Sequence, residues 1–428
     1  MKKRAYISGF DSNIVLHLKK FMDVRVWMHD EAGCTHHVGK LTSLDFPIES
    51  LPASPVDRDC YHNVYGSLPV FIDIYSRSFP YYEKSYHGLL NAFNLLFGYC
   101  YRLLTSERIE YVVFANIPHE AVDFIVERIA RYLKLPVLMC HQSPFPDRFW
   151  VLRDLNDFGR FAEIPELSSN EHYRLEREFN WFYMQTGDYQ YGAKKLLKDI
   201  LVAPLSFPYA FYKYKKAFDF RRNLERRIAP NISLDCKYVY FPLHLQPELT
   251  TSALGGIYSD QLLALERLDE VLPADWLIYV KENPKQTDMQ RDAEFFQRLE
   301  MLRNVRIVPM ATNSLELIRA SQFVATITGT AGWEAISLGK KTLVFGLPWY
   351  RYLPGVFRFD AGFSIDTLCA AETADPLVLE AAVRKLLGKA AEGVVDPLYC
   401  VLVEAYANEK NALKVARAVE VLVCSDEA

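Results

Sequence analysis

The segment Thr328–Gly339, TGTAGWEAISLG, is where residue types and spacing point most directly to a ligand. An apolar run ends at Thr328, and we predict a helix from Thr330. Because Gly329 has no Cβ, a ligand can approach its backbone closely. The N-terminus of a helix offers free N–H groups and a partial positive charge that suit a phosphate, and the two threonines add hydroxyl donors. A tight strand-to-helix turn that needs glycine only for packing explains the same pattern equally well.

Further polar side chains lie near this segment and after another predicted strand. Glu334 lies one turn into the helix, where its carboxylate can accept ribose hydroxyls, and a solvated glutamate is the simpler alternative. The stretch FPLHLQPE contains His244, Gln246 and Glu248 and follows the strand KYVYF. The carboxyl end of a strand in an open α/β sheet faces the crevice that binds ligands. We therefore expect His244 to donate to a phosphate or sugar, although a lone histidine is more often structural.

A third polar motif, KENP, follows the predicted strand WLIYV. Lys281 is a candidate point charge for a phosphate. Asn283 is a candidate for contacts to a base or a ribose, and Pro284 ends the strand. A charged exit loop is the alternative. Three such motifs at strand ends in one half of the chain favour a shared ligand site.

The first half of the chain carries candidates for proton transfer. Asp11 follows the predicted strand AYISG, and His119 and Glu120 follow the strand EYVVFA. Asp123 is expected at the same crevice. A carboxylate or a histidine there is suited to act as a general base or a nucleophile in glycosyl transfer. The alternatives are a helix-capping role for Asp11 and first-turn helix positions for His119 and Glu120, where acidic residues are favoured electrostatically.

Short apolar runs alternate with helical stretches in both halves, which predicts parallel strands covered by helices. We predict the α/β class, with two Rossmann-like, doubly wound parallel-sheet domains facing a crevice. A C-terminal helix is expected to return to the first domain. The predicted N-terminal domain spans 1–230, including a basic and aromatic linker region at 194–230. The second domain spans 231–395, and the C-terminal helix lies in 396–428.

The composition excludes several classes of protein. The chain has 428 residues, of which 50% are hydrophobic and 14% aromatic, so it is too apolar to be disordered. Its net charge of −4 gives no global attraction to nucleic acid. There is no apolar run long enough to span a membrane and no signal peptide. The eight cysteines form no C-x-x-C pair and are interpreted as reduced thiols in a cytoplasmic protein, with no metal site expected.

One local stretch departs from the mild acidity of the whole chain. Residues 212–227 contain seven Lys and Arg side chains against two acidic ones, with four interleaved aromatic residues. Such a segment is suited to contact an anionic membrane surface. A solvated helix face is the alternative, and no nucleic-acid-binding motif accompanies the stretch.

In order and spacing, FPLHLQPE, KENP and TGTAGWEAISLGKKTLVFG resemble the capsule polysaccharide biosynthesis proteins, which include bacterial transferases of Kdo and related ulosonic acids. The resemblance covers about residues 237–350 and, more loosely, 105–150, where NIPHE precedes a helix and LKLPVL. It implies a glycosyltransferase of the GT-B fold. The nucleotide-sugar donor would bind the second domain and the acceptor the first.

The resemblance also implies roles for individual residues. The family's LHxQPE motif is matched by His244, Gln246 and Glu248, and the lysine of its K-x-H-P-like motif is matched by Lys281. Its phosphate-binding segment is matched by Thr328, Gly329 and Thr330. Relatives use CMP-activated ulosonic acids and require neither a metal nor a further cofactor. Asn283 departs from the pattern, because relatives often have a phosphate-binding histidine there. Lys281 or His244 would have to supply that charge.

The leading hypothesis is therefore a bacterial glycosyltransferase for a capsule or surface polysaccharide. It would transfer a CMP-linked ulosonic acid, such as Kdo, pseudaminic or legionaminic acid, to a glycan or lipid-linked acceptor. Glu334 would join the donor site, and Asp11, His119 or Glu120 would activate the acceptor. The expected location is cytoplasmic, peripheral on the inner face of the plasma membrane. The alternatives are an epimerase of the UDP-GlcNAc 2-epimerase type and a non-catalytic polysaccharide-assembly binding protein.

Overall fold

The computed structural model describes residues 2–46, 57–78, 84–164, 173–175, 179 and 207–426. The chain forms two compact units. The first unit contains residues 1–173 and 381–428, and the second contains residues 174–380.

The first unit holds a seven-stranded sheet. Its strands are β1 (Arg4–Ser8), β2 (Asp23–His29), β3 (His36–His37), β4 (Tyr111–Phe114), β5 (Val137–Gln142), β6 (Arg148–Leu152) and β13 (Ala391–Glu392). Its helices are α1 (Ser12–Leu18), α2 (Val38–Thr42), α3 (Arg58–Tyr65), α4 (Leu68–Tyr75), α5 (Tyr86–Ser106), α6 (Ala121–Tyr132), α14 (Pro376–Leu387, which begins in the second unit) and α15 (Asn408–Ser425).

The second unit holds a six-stranded sheet. Its strands are β7 (Tyr238–Pro242), β8 (Leu277–Lys281), β9 (Val305–Ile307), β10 (Phe323–Thr326), β11 (Thr342–Val344) and β12 (Val356–Arg358). Its helices are α7 (Phe207–Glu225), α8 (Leu249–Leu254), α9 (Gln261–Val271), α10 (Ala293–Met301), α11 (Ser314–Ala320), α12 (Thr330–Ser337) and α13 (Ile365–Ala370).

Both sheets have the doubly wound strand order. The second sheet runs β12-β11-β10-β7-β8-β9 and all its pairs are parallel. The first runs β13-β6-β5-β4-β1-β2-β3. In each sheet the order reverses between two neighbouring strands, β1 and β4 in the first and β7 and β10 in the second. Ligands of such sheets bind beyond the carboxyl ends of the strands at this reversal. The predicted α/β class with two Rossmann-like units is confirmed.

The first sheet differs from the predicted parallel sheet, because it carries antiparallel strand pairs near one edge. Strand β6 pairs antiparallel with β5 and with β13. The short connection between β5 and β6 is the reason, since a parallel return would need a crossover of a dozen residues or more. Between β2 and α5, the described residues contain β3, α2, α3 and α4.

The units divide the chain differently from the predicted boundaries at 230 and 395. Helix α7 lies in the predicted linker, yet Phe220 and Leu224 are buried in the core of the second unit. Residues 194–206 of that linker lie outside the described residues. After residue 380 the chain returns to the first unit, where α15 packs against α1 and Val415 and Val419 join the first core. The predicted return of the C-terminal helix is confirmed. Within the described part of the chain, no helix has the length and apolarity needed to cross a membrane.

Candidate functional site

The strand reversal of the second unit brings together two of the motifs picked out in the sequence. His244 follows β7, and Thr326 ends β10. The His244 Nε2 lies 2.9 Å from the Thr326 Oγ1 and accepts from the backbone N–H of Ile327 at 3.3 Å. The His244 Nδ1 lies 3.2 Å from the Thr251 Oγ1 of α8. The imidazole is therefore bonded to protein on both of its nitrogens.

This environment fixes the charge of His244 as well as its position. Burial, together with the nearby positive charge of Arg291, lowers the pKa of His244 to about 4. The ring is neutral at pH 7, and Nε2 is the acceptor for the Ile327 N–H, which leaves the proton on Nδ1. The expected donation from His244 to a phosphate is not what this arrangement provides. Instead, the ring holds the loop between β10 and α12 in place.

The same loop is held from a second side by Tyr350, whose hydroxyl donates to the carbonyl of Gly329. Gly329 is the N-cap residue of α12. A Cβ on Gly329 would lie 2.9 Å from the Thr326 Oγ1, and one on Gly332 would lie 2.3 Å from the Tyr350 hydroxyl oxygen. Both glycines are thus required by close packing around the loop. The packing interpretation of this segment and the phosphate interpretation are compatible.

Three predicted donor-site residues surround the start of α12. Thr330 is the first residue of the helix and is partly exposed. Thr328 is buried, and its Oγ1 has no hydrogen-bond partner in the structure. Glu334 is also buried. Burial raises the pKa of Tyr350, and the negative charge of Glu334 raises it further. A buried hydroxyl without a partner at a helix N-terminus is the signature of a polar site that a ligand can complete.

Lys281 and Asn283 are engaged elsewhere. The Lys281 ammonium donates to the Thr312 carbonyl at 2.6 Å and to the Ser314 Oγ at 2.9 Å, and burial lowers its pKa. The Asn283 Oδ1 accepts from the backbone N–H of Lys285 at 2.9 Å. Strand β8 lies on the side of β7 away from β10, so the end of β8 faces α11. The structure thus gives both residues local bonding roles in the loops after β8 and before α11.

A buried polar network lies behind the loop and includes a residue that the sequence did not reveal. The Arg291 Nε donates to the Glu282 Oε2 at 2.8 Å, and both side chains are fully buried. Arg291 also donates to the Gln246 Oε1 at 2.9 Å and to the His244 carbonyl at 3.2 Å. Gln261 donates to the same carbonyl at 3.0 Å. Arg291 was missed because it stands in a polar stretch with no periodic pattern.

The remaining members of the LHxQPE motif are part of this scaffold or lie beside it. Gln246 is buried, and its side chain donates to the carbonyl of Ser259. Its backbone N–H donates to the Gln286 Oε1 at 2.8 Å. Glu248 is the N-cap residue of α8, and its side chain makes no capping bond. We call His244, Gln246, Gln261, Glu282, Arg291 and Thr326 the second-unit cluster.

In the first unit, the strand reversal gathers carboxyl groups rather than amides. Asp11, expected as a catalytic candidate, is the N-cap residue of α1, and its Oδ1 accepts from the Ile14 N–H at 2.9 Å. The capping alternative describes this position. His119 and Glu120 immediately precede α6, as expected, and the His119 Nε2 lies 3.6 Å from the Glu120 Oε1.

The surroundings of His119 and Glu120 shift both pKa values. Burial lowers the pKa of His119 to about 4, and its Nδ1 lies 2.7 Å from the Ile117 carbonyl oxygen. Because a carbonyl only accepts, Nδ1 carries the proton and Nε2 the lone pair. Burial raises the pKa of Glu120, against the lowering effect of Arg77, whose Nη1 lies 3.8 Å from the Glu120 Oε1.

Asp123, on the first turn of α6, has the most strongly shifted carboxyl group. Its Oδ1 accepts from the Ser8 Oγ at 2.7 Å and from the Tyr6 hydroxyl at 3.4 Å. Burial raises the pKa of Asp123 to about 7, with a further contribution from the charge of Glu120. The alternation of side chains along β1 puts Tyr6 and Ser8 on one face, which is the sequence signal that predicts this contact. We call Ser8, His119, Glu120 and Asp123 the first-unit cluster.

Among the described residues, no group of three or more His, Cys, Asp or Glu side chains is placed to hold a metal ion. All eight cysteines are free thiols.

Comparison with known proteins finds a family model that matches part of the chain. Residues 213–391 match the family model described as capsule polysaccharide biosynthesis protein. No curated protein sequence matches the chain. Two doubly wound units in tandem define the architectural class of the GT-B glycosyltransferases and related epimerases. The match agrees with the resemblance carried by the motifs FPLHLQPE, KENP and TGTAGWEAISLGKKTLVFG, which all lie within it.

Several solved structures are similar in fold. The beta Kdo 2,7 transferase of KpsC from Thermosulfurimonas dismutans has a TM-score of 0.34 and 11% identity, over 78% of this chain and 90% of that one. The beta Kdo 2,4 transferase of the same protein has a TM-score of 0.30 and 13% identity, over 64% and 79%. The UDP-GlcNAc 2-epimerase of Methanocaldococcus jannaschii, solved with UDP-GlcNAc and UDP, has a TM-score of 0.25 and 13% identity, over 99% and 100%.

Proposed function

We propose that this protein is a glycosyltransferase of capsule or surface polysaccharide biosynthesis that uses a nucleotide-activated sugar. The observation that carries the proposal is the family match over residues 213–391, which includes the loop between β10 and α12. The motif resemblance implies a CMP-linked ulosonic acid such as Kdo as the donor, bound without a metal. The acceptor is a glycan or a lipid-linked glycan, and the protein works at the cytoplasmic face of the plasma membrane.

In this proposal the second unit binds the donor at the N-terminus of α12. The N–H groups of the first turn and the hydroxyls of Thr328 and Thr330 bond to the donor phosphate. As the bond between the sugar and the phosphate breaks, negative charge develops on the leaving CMP. Fixed donors aimed at that charge stabilise the transition state because they need no reorganisation. The second-unit cluster acts by holding this loop rather than by touching the phosphate.

The first unit supplies the base that removes the proton from the acceptor hydroxyl. Among the candidates, we assign Asp123, since a base is most effective when its pKa lies near the working pH. The pKa of Asp123 is raised to about 7, whereas that of His119 is lowered to about 4. Asp11 is already committed to capping α1. Burial, with a smaller contribution from the charge of Glu120, raises the pKa of Asp123 and so keeps its carboxyl partly protonated.

A thermal-shift series with CMP, UDP, GDP and ADP tests the donor assignment. A ligand that binds only the folded protein stabilises it by about 2.7 kcal/mol at 100 times its Kd. We expect CMP to raise the melting temperature more than the other three nucleotides. A shift with UDP alone would contradict the CMP assignment and favour an epimerase. No shift with any nucleotide would contradict the enzymatic proposal and favour a non-catalytic binding protein.

A further inference from the structure

Helix α7 (Phe207–Glu225) has two faces with different environments. Ala217, Phe220 and Leu224 are buried, and the last two lie in the core of the second unit. Arg227, just after the helix, adds an anchor through an ion pair of 2.7 Å between its Nε and the Glu300 Oε1. One side of the helix is therefore fixed to the second unit, and its opposite side faces away from that core.

The opposite side carries a stripe of alternating aromatic and basic residues. Phe211, Lys215, Phe218 and Arg222 are spaced at i, i+4, i+7 and i+11, which places them along one line of an α-helix. Phe211 is 53% exposed and Phe218 is 54% exposed. We call these four residues the outer stripe. Single exposed apolar side chains are normal on a protein surface, whereas exposed aromatic side chains that lie along one line are informative.

Four basic residues of this segment have no acidic partner in the part of the chain that the structure describes. Among the described residues, no carboxylate forms an ion pair with Lys215, Arg221, Arg222 or Arg226. By contrast, Arg298 pairs with Asp260 at 2.8 Å and Lys414 pairs with Asp147 at 2.7 Å. Within the described residues, the outer stripe thus combines exposed apolar area with positive charge that no ion pair offsets.

We propose that the outer stripe of α7 binds the surface of an anionic phospholipid bilayer. The phenylalanine rings would enter the boundary between headgroups and acyl chains, and the cations would bind lipid phosphates. The stretch contains no recognised nucleic-acid-binding motif, which favours lipid over nucleic acid. This inference deepens the proposed function, because a surface-bound enzyme is well placed for a lipid-linked acceptor. Its test does not use sugar transfer, so the two proposals fail separately.

The test is sedimentation of the full chain with vesicles. One set contains phosphatidylcholine with about one third phosphatidylglycerol, and the other contains phosphatidylcholine alone. We expect binding to the first set only, weakened by high salt. Each cation near an anionic surface contributes about a fivefold gain in partitioning, so Lys215→Gln with Arg222→Gln should weaken binding about 25-fold. Phe218→Ser should weaken it about tenfold.

Matched controls separate the stripe from general effects of charge and apolar area. Arg303→Gln with Lys410→Gln removes two exposed cations elsewhere, and Leu413→Ser removes an exposed apolar side chain on α15. Both controls should bind vesicles like the wild type. Failure of the wild type to bind anionic vesicles would overturn the proposal. Binding by Lys215→Gln with Arg222→Gln that equals wild-type binding would overturn it as well. The variant Lys215→Gln with Arg222→Gln is also assayed with an oligonucleotide in place of vesicles. If it loses oligonucleotide binding but keeps vesicle binding, the proposal is overturned. The CMP-induced thermal shift should be the same in all variants.

Discussion

The two strand-end clusters occupy equivalent places in two sheets of the same winding, yet their chemistry differs. Each contains a histidine whose pKa is lowered to about 4 by the loss of contact with water. In the second unit, amides and a fully buried pair of Arg291 and Glu282 surround that histidine. In the first unit, the neighbours are carboxyl groups with raised pKa values. The difference teaches that equivalent strand ends can hold a loop through hydrogen bonds in one sheet and carry carboxyl groups with raised pKa values in the other.

The comparison predicts the largest stability loss for the scaffold of the second unit. Arg291→Leu leaves the buried Glu282 carboxylate without its cation, which should cost about 3–5 kcal/mol in the free energy of unfolding measured in urea. The double variant with Glu282→Leu should recover a large part of that loss, because no charge is then left unpaired. A double variant as unstable as Arg291→Leu alone would show that the unpaired charge of Glu282 is not the cause of the stability loss.

Asp123→Asn should change how the free energy of unfolding depends on pH. Because the folded-state pKa of Asp123 is raised from 3.8 to about 7, the folded protein holds this proton more tightly than the unfolded chain does. The resulting stabilisation is fully present below about pH 4 and is lost as the pH rises through about 7. Asparagine does not titrate.

Relative to the wild type, Asp123→Asn should therefore gain roughly 2–4 kcal/mol in the free energy of unfolding between about pH 4 and pH 8. Chemical unfolding at several pH values measures this difference. Asp11→Asn is the control for the substitution itself, because asparagine caps helices about as well as aspartate does. Parallel pH profiles for wild type and Asp123→Asn would refute the raised pKa.

Gly332→Ala tests how tightly the donor loop is packed. The new Cβ would lie 2.3 Å from the Tyr350 hydroxyl oxygen, so we expect a loss of about 1–3 kcal/mol in thermal unfolding. Gly98→Ala in α5 is the control, because a Cβ there meets no atom within 4 Å. That variant should gain roughly 0.5–1 kcal/mol, since alanine favours the helix. Equal effects at both sites would contradict the close packing.

His244→Gln should have the smallest effect on stability and a trend with pH opposite to that of Asp123. One hydrogen bond is lost, at a cost of about 1 kcal/mol at neutral pH. Because the pKa of His244 is lowered from 6.5 to about 4, its contribution is present above about pH 6.5 and is lost as the pH falls through about 4. The difference between wild type and variant should shrink on acidification. A difference that grows would contradict the neutral ring.

Much of the fold follows from the sequence because buried strands and amphipathic helices have clear periodicities. Helix α12 begins at the predicted Thr330, β7 and β8 are shifted by one residue from the predicted runs KYVYF and WLIYV, and β10 ends two residues before Thr328. The missed strand β6 pairs at a sheet edge through a short turn, and its apolar run RFWVL follows a loop with two prolines. Short edge elements have weak local signals, since tertiary pairing forms them.

The candidate site was predictable in place but not in role. Strand ends locate His244, Lys281 and Thr330, because parallel strands align their carboxyl ends. The sequence does not show which donors are already used. Lys281 is bonded to Thr312 and Ser314, and Arg291 pairs with Glu282 across nine residues. Such contacts depend on loop paths, which residue spacing does not determine.

Calorimetric titration of CMP into the wild type, Thr330→Val and Asp123→Asn tests the central claim that the second unit binds the donor and the first transfers the proton. We predict that Thr330→Val raises the Kd about tenfold, as expected for the loss of one hydrogen bond to a charged group. Asp123→Asn should leave the Kd unchanged while its transfer rate falls about 100-fold or more. An unchanged Kd in Thr330→Val together with weakened CMP binding in Asp123→Asn would contradict the account.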